Sequence, residues 1–115
     1  MGKRIAAYTK EQIADYAEAS GDFNKIHTDE SFARSAGFPT VIAHGMLSMG
    51  VVSQKLIEGG LDPKNFQFFD CKFKEIVLPG EELELESEKT EQQVEFSLKK
   101  SGGIEVCSGR IRLKS

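Results

Sequence analysis

Apolar and polar residues follow two different periods in the two halves of this chain. Up to about Gly60 the apolar positions recur at helical spacing, and from about Phe66 they alternate in the way of strands. Residues 3–8 read as a short opening strand. Thr9 then begins a helix: Thr9 and Gln12 have the spacing of a capping box, and Ile13, Tyr16 and Ala17 follow at helical intervals. Ser20-Gly21-Asp22 stops it, with Gly21 as the terminator. A second short helix is predicted from about Asp29, a good N-cap, to Ala36, before Gly37 and Pro39. A third starts between Thr40 and His44 and runs to about Glu58, ended by Gly59-Gly60. Its apolar residues include Ile42, Met46, Met49, Leu56 and Ile57, with Leu47, Val51 and Val52 on other faces. Few charges fall between Thr40 and Gln54, which predicts a helix nearly surrounded by protein.

Four strand candidates follow. Phe66–Ile76 is rich in aromatics. Leu83 and Leu85 alternate with glutamates over Glu82–Glu88. Val94, Phe96 and Leu98 alternate with Glu95, Ser97 and Lys99, and Ser101-Gly102-Gly103 is a hairpin turn. In the last strand, the pair Ile104 and Val106 is out of phase with Ile111 and Leu113, which predicts a bulge or twist near Gly109. A buried helix needs a wrapping surface, and an antiparallel sheet curled around it supplies one. The expected class is α+β, with residues 1–115 as a single domain. An open sheet of about five strands leaves its edges unpaired, which favours dimerisation through an edge.

Composition narrows the function. The chain has 115 residues, enough for one core, and a formal charge of −3 with no Lys/Arg run longer than two. Nucleic-acid binding is not indicated. No apolar stretch has the length of a membrane span, and the N-terminus has no signal-peptide pattern. Cys71 and Cys107 form neither a disulfide scaffold nor a zinc motif. The expectation is a soluble, cytoplasmic protein that meets neither membrane nor nucleic acid.

The chemistry concentrates in residues 19–29, Ala-Ser-Gly-Asp-Phe-Asn-Lys-Ile-His-Thr-Asp. On a continuous helix Asp22 and His27 would point about 140° apart, at about 100° per residue. In a turn they can converge. Gly21 permits the backbone angles such a turn needs, and Asn24 can hydrogen-bond locally to hold it closed. A carboxylate and an imidazole could then grip and activate one water. The same residues admit a plainer account, in which Asp22 caps a helix and His27 is a satisfied, partly buried histidine. No nucleophile motif accompanies them, and two histidines with scattered acids make a poor metal site.

A second feature is Ile42-Ala43-His44-Gly45-Met46-Leu47, at the start of the apolar helix. Free N–H groups there suit an anion or a developing oxyanion, although a simple helix start is the account the residues alone favour. His44 reads as structural. Ser53, eight residues after Gly45 on an apolar stretch, reads as a hydroxyl bonded back to the preceding turn.

Residues 19–50, "ASGDFNKIHTDESFARSAGFPTVIAHGMLSMG", resemble the signature of MaoC-like dehydratases and (R)-specific enoyl-CoA hydratases: Gly-Asp-x-Asn-Pro-x-His-x-Asp, then an Ala, a Phe, and Ala/Val-His-Gly-Met. Residues 73–88, "FKEIVLPGEELELESE", are similar to that family's strand–turn–strand. The resemblance implies a hotdog fold, usually dimeric, with an antiparallel sheet wrapped around a long central helix. It implies reversible syn hydration of a trans-2-enoyl thioester to the (R)-3-hydroxyacyl thioester. Asp22 and His27 match the family's catalytic pair, and Asn24 its supporting amide. The backbone of Gly45 matches the oxyanion hole, and Ser53 a helix serine near the site. No metal or prosthetic group is implied; coenzyme A or acyl carrier protein carries the acyl group. Lys25 replaces the usual proline. Only about nine residues precede the first helix, fewer than is common in that family, which implies an acyl pocket that is smaller, more open, or shaped partly by the partner subunit. A hotdog thioesterase and a non-catalytic acyl-binding subunit are the alternatives.

Overall fold

The computed structural model describes residues 2–114, with side chains from residue 4. In chain order the elements are β1 (Gly2–Ile5), α1 (Lys10–Ser20), α2 (Lys25–Thr28), α3 (Glu30–Ser35), α4 (Gly45–Glu58), β2 (Phe66–Phe73), β3 (Leu83–Lys89), β4 (Gln93–Lys100) and β5 (Ile104–Leu113). Short 3-10 turns lie at Pro63–Asn65 and Ser101–Gly103. The five strands form one antiparallel sheet in the order β1-β3-β4-β5-β2. The α+β hotdog class expected from the sequence is the fold observed.

Local chemistry accounts for most boundaries. The Thr9 hydroxyl accepts from the Gln12 amide at 3.0 Å, and the Gln12 side chain accepts from the Thr9 amide at 2.9 Å, completing the capping box of α1. Gly21 ends α1 at φ 77°, and its N–H bonds the Ala17 carbonyl. The expected 3–8 strand stops at Ile5, because Tyr8 turns inward to meet Ser48 on α4 at 3.1 Å.

The phase change in β5 is real but lies three residues before the expected site. Leu98 pairs with Cys107 and Lys99 with Glu105, so Val106 is the extra residue, and Val106 and Cys107 are both buried. The same irregularity ends β2 at Phe73 rather than Ile76, since the amides of Lys74 and Glu75 both turn to the Val106 carbonyl. Beside it, Lys74 and Ser97 bond Glu105, holding that carboxyl down at about 2. Gly109 has a different task. A Cβ there would stand 1.8 Å from the Asp70 carbonyl oxygen, so the close approach of β2 requires glycine.

The core lies between α4 and the sheet. Val52 and Leu56 of α4 join Ile13, Leu83, Leu85, Leu98 and Ile111 in one buried cluster. Burying a side chain of this size contributes about 1.5–3 kcal/mol. The expectation that α4 is nearly surrounded is not met within one chain. Met46 is 58% exposed, Ile57 37%, and Gly45 and Gly50 are also open. The sheet covers one side of this apolar helix and leaves the other bare.

Gly109→Ala is expected to destabilise the fold by on the order of 3 kcal/mol or more, since backbone rather than a mobile side chain occupies the space. A urea unfolding midpoint within experimental error of wild type would contradict this.

Candidate functional site

The loop after α1 is built from short polar turns. The Ser20 hydroxyl accepts from the Asp22 amide at 3.2 Å, and the Asp22 carboxylate accepts from the Asn24 amide at 3.2 Å. Asn24 caps α2 by accepting from the Ile26 amide at 3.2 Å. Asp29 then caps α3, accepting from Phe32 at 3.0 Å. Periodicity could not reveal α2, which is a single turn inside what reads as a loop. Lys25, in place of the usual proline, opens that turn with its Nζ 5.9 Å from the centre of the Phe32 ring.

Segment 41–43 runs beside α2 and ties it to the rest of the molecule. The Ile42 amide donates to the Ile26 carbonyl at 3.0 Å, and the Ala43 amide donates to Val77 at 2.9 Å. His27 is buried, and its Nδ1–H donates to the Ile42 carbonyl at 2.7 Å. A carbonyl can only accept, so in the neutral ring Nε2 is the bare, proton-accepting nitrogen. Asp22 is exposed at the edge of the site. One carboxylate oxygen of Asp22 and one nitrogen each of His27 and His44 all lie within 4.8 Å of one another. A water about 2.8 Å from two such atoms bridges that span. The acid and the imidazole therefore converge, as an activated water requires.

His44 is more than a filler. Its ring stacks on His27 with centroids 3.7 Å apart and 21° between planes, and it meets Tyr16 edge-on at 4.8 Å. Its Nε2–H donates to the Asp22 carbonyl at 3.1 Å. Burial, foremost, pushes its pKa below the usual histidine value. The near-parallel rings make a poor joint metal site. Ligand lone pairs lie in the ring plane, so a cation in the plane of one imidazole stands well out of the plane of the other.

A cavity of about 200 Å³ opens beside these rings, lined among others by His27, His44, Gly45, Ser48, Phe73 and Val106. Gly45 is the first residue of α4, so its N–H has no partner within the helix and faces this end of the fold with the positive pole of the helix dipole. A Cβ on Gly45 would stand 3.1 Å from the Phe73 ring. Ser53 does not line the cavity. It is half-buried two turns along α4, and among the described residues no hydrogen bond of its hydroxyl is seen. Ser48 supplies the hydroxyl here, buried and bonded to Tyr8. Its place one turn after Gly45 was readable from the sequence; its partner forty positions away was not. A larger groove of about 720 Å³ lies on the outer face of the sheet among Glu86, Glu95, Glu105 and Arg110, but it is open and holds none of these groups.

Asn24→Ala is expected to cost about 1 kcal/mol in urea unfolding, with Asn24→Asp close to wild type, because only the cap acceptor is lost. Equal losses in the two variants would contradict the capping role.

Residues 3–107 match the family described as "MaoC like domain". The chain is 36% identical over 107 residues to a peroxisomal hydratase-dehydrogenase-epimerase of Neurospora crassa, covering 91% of this chain and 12% of that protein. It is 32% identical over 82 residues to a probable enoyl-CoA hydratase 2 of Dictyostelium discoideum, covering 70% and 28%. It thus spans one segment of each of these longer proteins. Its fold is similar to that of the (R)-hydratase from A. caviae involved in PHA biosynthesis, with a TM-score of 0.85, 24% identity, and coverage of 99% of this chain and 93% of that one. The matched segment contains every group of the site, and the chain belongs to the MaoC-like domain family.

Proposed function

We propose that this protein catalyses reversible syn addition of water to trans-2-enoyl thioesters, giving (R)-3-hydroxyacyl thioesters. The observation that carries this reading is the convergence of Asp22 and His27 next to the first amide of α4. Among its relatives, the Dictyostelium protein is named a probable enoyl-CoA hydratase 2, and a Mycobacterium tuberculosis protein a 3-hydroxyacyl-thioester dehydratase.

The chemistry balances with one base. A water held between the Asp22 carboxylate and the bare Nε2 of His27 gives a proton to Nε2 as its oxygen bonds C3. The π electrons move through C2 to the thioester oxygen, which gains negative charge beside the Gly45 N–H. Collapse of this enolate takes the proton from His27 at C2. A proton taken and returned by one group stays on one face of the substrate, which makes the addition syn. Asp22 orients the water, Asn24 holds the loop, and the α4 amide stabilises the oxyanion, a contribution commonly worth about 3 kcal/mol. No step calls for a metal or a prosthetic group; coenzyme A or acyl carrier protein delivers the acyl chain.

The acting form in this proposal is a homodimer. Met46, Gly50, Ser53 and Ile57 follow one another along the bare side of α4, while Phe68 and Phe73 are exposed on the edge strand β2. A second copy would cover both, and would bring Ser53 into a seam between subunits. The proposed compartment is the cytoplasm, in keeping with the free thiols of Cys71 and Cys107, although the Neurospora relative is named peroxisomal.

Crotonyl-CoA should lose its conjugated-enoyl absorbance in the presence of the protein. Asp22→Asn and His27→Ala should each lower kcat by at least about a hundredfold. Full activity in both variants would remove the pair from the mechanism, and release of free thiol instead would make the protein a thioesterase. Sedimentation equilibrium should give twice the 12.7 kDa chain mass, and Met46→Glu with Ile57→Glu should halve it. A monomeric wild type would overturn the dimer.

A further inference from the structure

His44 presents an energetic anomaly. It is 3% exposed, and its Nδ1 is fully buried with no hydrogen-bond partner among the described residues. Leaving such an acceptor unsatisfied costs about 1–3 kcal/mol, a cost that an apolar side chain of similar shape would avoid. Besides the edge-on contact with Tyr16, the ring meets both halves of the proposed catalytic pair. Its Nε2–H donates to the backbone carbonyl of Asp22, and its face lies against the ring of His27. These two residues come from different segments, the loop after α1 and the turn α2, and His44 itself stands at the residue before α4 without a side-chain capping bond. One side chain, at the entrance of α4, therefore touches both the Asp22 backbone and the His27 ring.

We infer that His44 is a positioning residue for the hydration reaction, whose Nε2–H fixes the backbone of Asp22 at the distance from His27 that one bridging water requires. This inference rests on the function proposed above. The carbonyl partner also settles the tautomer of His44: with Nε2 donating, Nδ1 must carry the lone pair, which is why it is the orphaned atom. The stacked face keeps His27 from rotating about its own bond to Ile42. Of the two contacts, the hydrogen bond does the spacing, because it acts along the line between the segments. The stack alone would leave the Asp22 loop untethered on that side.

The test separates the two contacts. His44→Gln preserves a side-chain N–H that reaches the same carbonyl, whereas His44→Phe preserves a flat ring against His27 and has no donor. With crotonyl-CoA, His44→Ala and His44→Phe should lower kcat about a hundredfold with KM within threefold of wild type. His44→Gln should recover at least tenfold of that loss. Thermal unfolding of all three is followed in parallel, so that activity is compared between folded proteins; should the alanine variant fail to fold, the Gln and Phe pair still decides. Equal kcat in the Gln and Phe variants, or wild-type kcat in the Phe variant, would overturn the inference while leaving the hydratase reading intact. No turnover by the wild-type protein would overturn that reading, and this inference with it.

Discussion

The buried hydrogen bond from His27 Nδ1 to the Ile42 carbonyl, at 2.7 Å, organises the cavity end of this molecule. It satisfies two polar groups that burial would otherwise leave costly. It fixes the ring orientation and leaves Nε2 as the bare ring nitrogen. It also locks α2 to the segment leading into α4, a connection doubled by the bond from the Ile42 amide to Ile26. The next residue, Ala43, continues the chain of contacts to Val77, so the loop after β2 becomes the opposite wall of the cavity. A side-chain bond and two backbone bonds thereby bring the His27 imidazole, the helix terminus and the cavity wall into one place.

That wall is held from the far side by Lys100. Its Nζ donates to the Ile76 carbonyl at 2.8 Å and pairs with Glu81 at 3.2 Å, while Glu81 also accepts from the Leu78 amide at 2.7 Å. The Lys100 side chain is only 10% exposed, so this pair is less screened than the ion pairs elsewhere on the surface. Buried and half-buried polar contacts thus hold the irregular backbone that lines the cavity, and apolar contacts fill the space beneath α4. The division is what the physics of burial requires: loops bring unpaired amides and carbonyls, and each needs a partner.

The helix α4 serves both sides of this division. Its first turn offers amides and a hydroxyl to the cavity, and Val52 and Leu56 anchor its middle in the core. Its third side, from Met46 to Ile57, is apolar and uncovered in a single chain. A helix with few charges predicts that protein surrounds it on nearly every side. Pattern reports only that water is to be excluded, and cannot distinguish the chain's own sheet from another molecule as the cover.

Much of the architecture was legible in local chemistry. The capping box at Thr9, the glycine stop at Gly21, the Asp29 cap and the alternation in β3 and β4 each act over a few residues, and each appears where the pattern placed it. Asp22, Asn24, His27 and Gly45 are singled out by the sequence through their match to a family signature, and the structure gathers their two segments at one end of the fold. The exchanges of role were not legible. Ser48 rather than Ser53 lines the cavity, Val106 rather than Gly109 forms the bulge, and His44 bonds the Asp22 carbonyl while stacking on His27. Each depends on a partner far along the chain: Tyr8 for Ser48, Leu98 and Lys99 for Val106, Asp22 for His44. Such pairings arise when packing brings distant segments together, and the order of residues holds no trace of those distances.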